Sequence, residues 1–250
     1  MKFLLIFLTS LCFSATTAVA QTSMADGFSF NLEKSPAKHA VQRVRFQDGT
    51  KAERFELRSG DCNQRSGDCK NDRERVEFIE KGKQQKIGKE VWVGWSVFVP
   101  NDFPRQGKRM NVKVGQFHQL GGNGPRLLFE LNDSNLVVKL QNPFQKDSDP
   151  MRPVGDFKSA KLASRSSVLG KWVRIVVHAK WSLGADGFVN VWADGQKRFA
   201  YSGQTTHSPG NVYFRYGLYR SFVSRCGGQC PTLVAYYKDV VRGQNLGAVQ

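Results

Sequence analysis

Three short segments carry side chains whose types and spacing can do chemistry. Tyr213 to Arg220 reads YFRYGLYR. On an extended strand Tyr213, Arg215, Gly217 and Tyr219 share one face, while Phe214, Tyr216 and Leu218 share the other. The second set is what a core takes up. The first is two phenols and a guanidinium, with a glycine between them that leaves room for a ligand. Around Gln116-Phe117-His118, alternation groups Val112, Val114, Gln116 and His118 on one face and sends Phe117 into the core. A glutamine beside a histidine can hydrogen-bond a carboxylate and remove a proton. In NDRERVE, Asn71 to Glu77, the same alternation puts Arg73, Arg75 and Glu77 on one face and Glu74 and Val76 on the other. Paired guanidinium forks hold carboxylates. Alone, the Arg segment fits a solvated strand with ion pairs better, and the Gln/His pair an incidental polar surface. The Tyr/Arg face is harder to explain as mere surface.

Short alternating stretches bounded by Gly, Pro, Asn and Asp must position these side chains. They are Val91 to Val99, Arg126 to Leu131, Leu136 to Leu140, Trp172 to Trp181, Phe188 to Ala193, Val212 to Tyr219 and Leu233 to Val241. No long helical period, repeat or linker interrupts them. This spacing predicts an all-β fold of two antiparallel sheets packed as a sandwich, in one domain over residues 21–250. Trp172 to Gly195 reads as a hairpin that turns at residues 184–187 and closes on Asp194-Gly195, a pair suited to positive φ.

The N-terminus reads as an address label. Lys2 precedes an apolar run from Phe3 to Phe13, and Ala18-Val19-Ala20 gives a small-x-small site, so residues 1–20 are expected to be a signal peptide cut after Ala20. No segment is long enough to span a bilayer, so a secreted or periplasmic protein without membrane insertion is expected. The formal net charge is +16, from 37 Lys+Arg against 21 Asp+Glu. Such an excess suits nucleic acid, an anionic membrane or an acidic polymer. Export disfavours nucleic acid, and no Lys/Arg-rich amphipathic helix suits a membrane. The scattered basic residues fit a groove that follows a polyanion. Loss of Cys12 with the leader leaves Cys62, Cys69, Cys226 and Cys230. An even count in an oxidising compartment reads as two disulfides, with Cys62–Cys69 and Cys226–Cys230 the simplest of the three connectivities. The spacings are not of the zinc-binding CxxC type.

Taken in order, Trp92…Gly94-Trp95-Ser96…Pro100, Gln116-Phe117-His118, the Trp172–Gly195 hairpin and Tyr213-Phe214-Arg215-Tyr216-Gly217-Leu218-Tyr219 resemble the jelly-roll polysaccharide lyases. The closest pattern is that of the heparin lyase I family, with glucuronan lyases and family 7 alginate lyases related. The resemblance implies a concanavalin-like β-jelly roll with a concave groove, and β-elimination on a uronic-acid polysaccharide. It also implies roles. Gln116 and Arg75 neutralise the substrate carboxylate, with Arg73 the weaker candidate. His118 is the base, or assists neutralisation while Tyr219 is both base and acid. Tyr219 protonates the leaving oxygen. Arg215 stands where the family has Lys, binds substrate and depresses a neighbouring Tyr, and Tyr213 supports. RERVE in place of RxExR leaves open which arginine aligns. Tyr219-Arg220-Ser221 in place of YNQ turns the expectation from alginate towards a glucuronate-containing polymer.

Three rival readings fit less well, the weakest being a protease or protease inhibitor, since no GxSxG occurs. A hydrolase on this architecture needs a close acidic cluster, and Glu74, Glu77 and Glu80 lack that spacing. A non-catalytic carbohydrate-binding or envelope protein would need neither His118 nor Tyr219. No catalytic metal or cofactor is expected, Asp-rich turns leave a structural Ca²⁺ open, and a monomer is expected. Linkage, and endo or exo action, are not legible.

Overall fold

Alternation of apolar and polar residues decides which side of each strand turns inward, and here it yields two sheets. The computed structural model describes residues 14–19, 24–26, 29–32, 37–46, 48–62, 64, 67–82, 85–105, 107, 110–121, 124–144 and 156–250. In chain order the strands are β1 (Ser14–Val19), β2 (Ser29–Leu32), β3 (Val41–Arg45), β4 (Lys51–Leu57) and β5 (Arg73–Lys81). Then come β6 (Glu90–Phe98), β7 (Asn111–Gln119), β8 (Pro125–Leu131), β9 (Asn135–Gln141) and β10 (Asp156–Ser164). The last are β11 (Trp172–Lys180), β12 (Phe188–Ala193), β13 (Gln196–Ser202), β14 (Val212–Ser221) and β15 (Leu233–Gly243). One sheet has the order β1-β3-β4-β15-β6-β11-β12-β13 and the other β10-β9-β8-β7-β14-β5-β2. Their strand pairs are antiparallel. β1 falls inside the expected leader, and the rest of residues 1–20 lies outside the described residues.

The sandwich expected from the turn spacing is therefore observed. Its core is closed by aromatic residues of both sheets. Trp95 of β6 is fully buried and packs on Phe129 and Phe214 of the opposite sheet at centroid distances of 4.9 and 4.7 Å. The β12–β13 turn has Asp194 at φ 48° and Gly195 at φ 75°, the two left-handed residues that such a hairpin turn requires. Two edge strands, β10 and β13, escape the sequence reading because most of their residues are exposed and no alternation marks them.

One expectation is corrected. Val112 and Val114 do not share a face with Gln116 and His118; both valines are in the core. β7 gains one residue against β8 between Lys113 and Gly115, and β14 gains one against β7 between Tyr216 and Tyr219. On β7 this irregularity reverses the alternation beyond it. Val114 and Gly115 both turn inward, and a Cβ on Gly115 would lie 3.2 Å from the Trp95 ring. Lys113 is thereby turned out beside Gln116. The Tyr237 hydroxyl, from the opposite sheet, lies 2.7 Å from the Gly217 carbonyl and 3.1 Å from that of Val114, capping the disturbed ladder. Tyr237→Phe leaves these buried carbonyls without that donor, and is expected to cost about 1–3 kcal/mol in denaturant unfolding.

Candidate functional site

The outer face of the seven-stranded sheet gathers the sequence candidates. Cross-strand register sets Tyr213 against His118 and Arg215 against Gln116 on β7, and Tyr219 against Arg75 and Gly217 against Glu77 on β5. Phe214, Tyr216 and Leu218 point into the core with no exposure, as alternation predicted. Yet Tyr213, Arg215, Tyr219, Arg75 and Gln116 are themselves at most 8% exposed. A flat outer face cannot bury such side chains, so they line a recess.

A buried carboxylate organises the floor of this recess. Glu77 has no exposed surface and accepts from Gln116 Nε2 at 2.7 and 2.9 Å. Arg75 Nη1 donates to it at 3.3 Å, and Arg215 Nη1 lies 3.6 Å away. Glu77 reaches Gln116 across β14 at the one position that has no side chain, Gly217. That glycine was expected to leave room for a ligand; its necessity is structural. It holds φ at 129°, and an added Cβ would meet the Val76 carbonyl at 2.3 Å.

Arg75 is held from its other side as well. Its Nε and Nη2 fork onto Asp68 at 2.7 and 2.6 Å. Asp68 precedes Cys69, which is bonded to Cys62, so the first disulfide fixes the loop that fixes the arginine. Cys226–Cys230 closes the loop after β14. Both bonds follow the simplest connectivity. Arg73, next on the same face as Arg75, is half-buried.

His118 and Tyr219 stand on either side of Gly217 along the sheet, and the charge of Arg75 acts on both. His118 Nδ1 lies 3.2 Å from the Gln119 carbonyl. Donation from Nδ1 to this carbonyl, which can only accept, leaves the lone pair on Nε2. Burial, reinforced by Arg215, pushes the imidazole well below its ordinary value of 6.5, so it is neutral near pH 7. The Tyr213 hydroxyl sits 3.2 Å from the same Nδ1 and accepts from Arg215 Nη2 at 2.9 Å. Tyr219 has the Arg75 guanidinium 4.3 Å and the Lys113 ammonium 4.9 Å from its ring centre. Burial raises its phenol above 10 despite Arg75. The site thus pairs a neutral imidazole with a protonated phenol over a floor of cationic and amide donors.

Sequence reasoning missed three contributors. Lys113 was hidden by the break in alternation, and Asp68 by its place in a disulfide loop. Arg126 of β8 adds its charge beside His118, and its Nη1 lies 3.0 Å from His207 Nδ1. Beyond the end of β7 lies a cavity of about 680 Å³ lined by Leu120, His207, Pro209 and Asn211 among others. Among the described residues no group of three or more His, Cys, Asp or Glu side chains is arranged to hold a metal ion. Nor is any helix there long and apolar enough to cross a membrane.

A family model described as polysaccharide lyase matches residues 20–241. No curated protein sequence matches the chain. Solved structures do. An endo-beta-1,4-glucuronan lyase from the fungus Trichoderma reesei is 19% identical, covers 84% of this chain and 88% of its own, and superposes with a TM-score of 0.64. The marine family 7 alginate lyase from Zobellia galactanivorans is 16% identical over 88% of this chain and 85% of its own, with a TM-score of 0.56. A further family 7 alginate lyase, AlgAT5, is 16% identical over 80% of each chain, with a TM-score of 0.51. At these identities the likeness is one of fold, the jelly roll.

Proposed function

The chain belongs to the polysaccharide lyase family, and on that premise we propose that it is an exported enzyme cutting a uronate-containing acidic polysaccharide by β-elimination, with a glucuronan-type polymer favoured. One observation carries this reading: the buried donors Arg75, Gln116 and Arg215 gathered on Glu77, flanked by His118 and Tyr219. A uronate lying over Gly217 would set its carboxylate against Gln116 and Arg75. Arg73, Arg215 and Tyr213 would hold the chain on either side.

Each group has a step. Donors on the carboxylate withdraw charge and acidify the proton on C5. His118 Nε2 takes that proton, the C4–O4 bond breaks, and a C4=C5 double bond forms. Tyr219 gives its hydroxyl proton to the departing O4, and exchange with solvent restores both residues. Of the two assignments open for the base, the neutral imidazole and protonated phenol favour His118 as base and Tyr219 as acid. No metal or cofactor enters these steps.

A glucuronate polymer is preferred to alginate because Tyr219-Arg220-Ser221 replaces the alginate-lyase pattern. In this fold Arg220 is turned inward onto Glu74 and Ser221 contacts Lys113. Export is supported by the leader-like residues 1–20, by a family match that begins at residue 20, and by two disulfides that need an oxidising compartment. We propose a monomer acting in the periplasm or outside the cell.

Incubation with glucuronan, alginate, heparin and pectate, followed by the ultraviolet absorbance of unsaturated uronate, tests the substrate. The largest rate is expected on glucuronan; a larger rate on alginate or heparin would overturn that choice. The pH profile has a definite sign. Protonating His118 removes the base, so kcat/KM should rise with pH through an inflection below 6.5 and be level by neutral pH. An inflection shared with His118→Ala residual activity would assign it elsewhere.

A further inference from the structure

Lys113 differs from the other cations of this face. Arg75 is gripped by Asp68 and Glu77, Arg220 by Glu74, and Lys139 by Glu130 and Asp156. Lys113 is 6% exposed, yet among the described residues no carboxylate lies within ion-pairing distance of it. Its Nζ donates to Ser221 Oγ at 2.5 Å and stands over the Tyr219 ring. Glu77 and Glu130, whose charges it feels, are already engaged by other donors. An ammonium has three N–H groups, and a buried one without a direct ion pair is costly. That cost is visible in its pKa, which burial lowers to about 8. An acidic ligand group would supply the direct ion pair.

The position says which group. Lys113 is Tyr219's cross-strand partner and lies three residues from Gln116, about 10 Å along the strand. Tyr219 protonates O4, so the sugar next to it is the one that departs with that oxygen. We infer that Lys113, with Ser221, receives the carboxylate or sulfate of this departing sugar, so that the site reads two acidic sugars in succession. The inference rests on the elimination reading for the direction of the chain, though not for the existence of the anion subsite.

Binding separates the two. In a His118→Ala background, which removes turnover, affinities are measured for an oligoglucuronate and for an oligosaccharide in which glucuronate alternates with a neutral amino sugar. Lys113→Met should weaken the first about tenfold and the second hardly at all, with Lys113→Arg restoring most of the loss. Sulfated and carboxylated oligomers distinguish the two anions. In the active protein the Met variant should raise KM and spare kcat. Equal losses on both oligomers, no loss on either, or a loss confined to kcat would overturn the inference; the last would mean that Lys113 serves the Tyr219 phenol. If Lys113→Met does not fold, Lys113→Gln is judged by the same ratios. Selective binding without unsaturated product would sink the elimination reading and leave the subsite standing.

Discussion

Replacing His118 with alanine, or Tyr219 with phenylalanine, is expected to lower kcat by about 10²–10⁴-fold each, the usual worth of a positioned proton-transfer group. The fold should survive both changes. Phenylalanine keeps the ring that Arg75 and Lys113 cover, and His118 is half-buried at the groove rather than in the core. Because acid and base act in one elimination, the double variant should lose little more than the worse single variant. Substrate affinity should change much less than kcat, since Arg75, Gln116 and Arg215 remain. Retention of full activity by either variant would remove that residue from the mechanism. Tyr213→Phe supplies the comparison. It takes a hydroxyl from the His118 and Arg215 network but no proton from the proposed steps, so a smaller loss is expected.

Gly217→Ala should be the most damaging single methyl group in the protein. A side chain at φ 129° costs about 1–3 kcal/mol by itself. The new Cβ would also stand 2.3 Å from the Val76 carbonyl and 2.8 Å from the Phe55 ring, so β5 or the core must shift. A combined loss of about 3–5 kcal/mol is expected in denaturant unfolding, a large share of the 5–15 kcal/mol that holds most domains together. Activity should fall with it, since displacing β5 displaces Glu77 and Arg75. The same methyl at Gly195, which also has positive φ but no atom within 4 Å of the added Cβ, tests the backbone cost without the clash. Gly217→Ala with wild-type stability would contradict the strand geometry described above.

What could be read from the chain follows from where alternation is strict. β14 keeps its parity from Tyr213 through Tyr219, so the division between Phe214, Tyr216, Leu218 and the opposite face was visible in the sequence. The cysteine pairing is the simplest of the three connectivities that the spacing left open. β7 was misread because an inserted residue is silent in a polarity pattern: Val112 and Val114 looked like companions of Gln116, and Lys113 looked like the outsider. Glu77 could be placed on the right face, but not as the hub of three donors, since that depends on reaching across Gly217 to another strand. Asp68 shows the same limit. Its fork onto Arg75 needs both the strand register and the Cys62–Cys69 loop.

β-Elimination itself is tested most directly by the mass of the fragments. Digestion of glucuronan by the mature protein should give pieces whose new non-reducing ends are lighter by one water than hydrolysis would leave, with the double bond absorbing in the ultraviolet. His118→Ala and Tyr219→Phe should give almost none. Fragments at the hydrolytic mass, or an undiminished yield from both variants, would contradict the account.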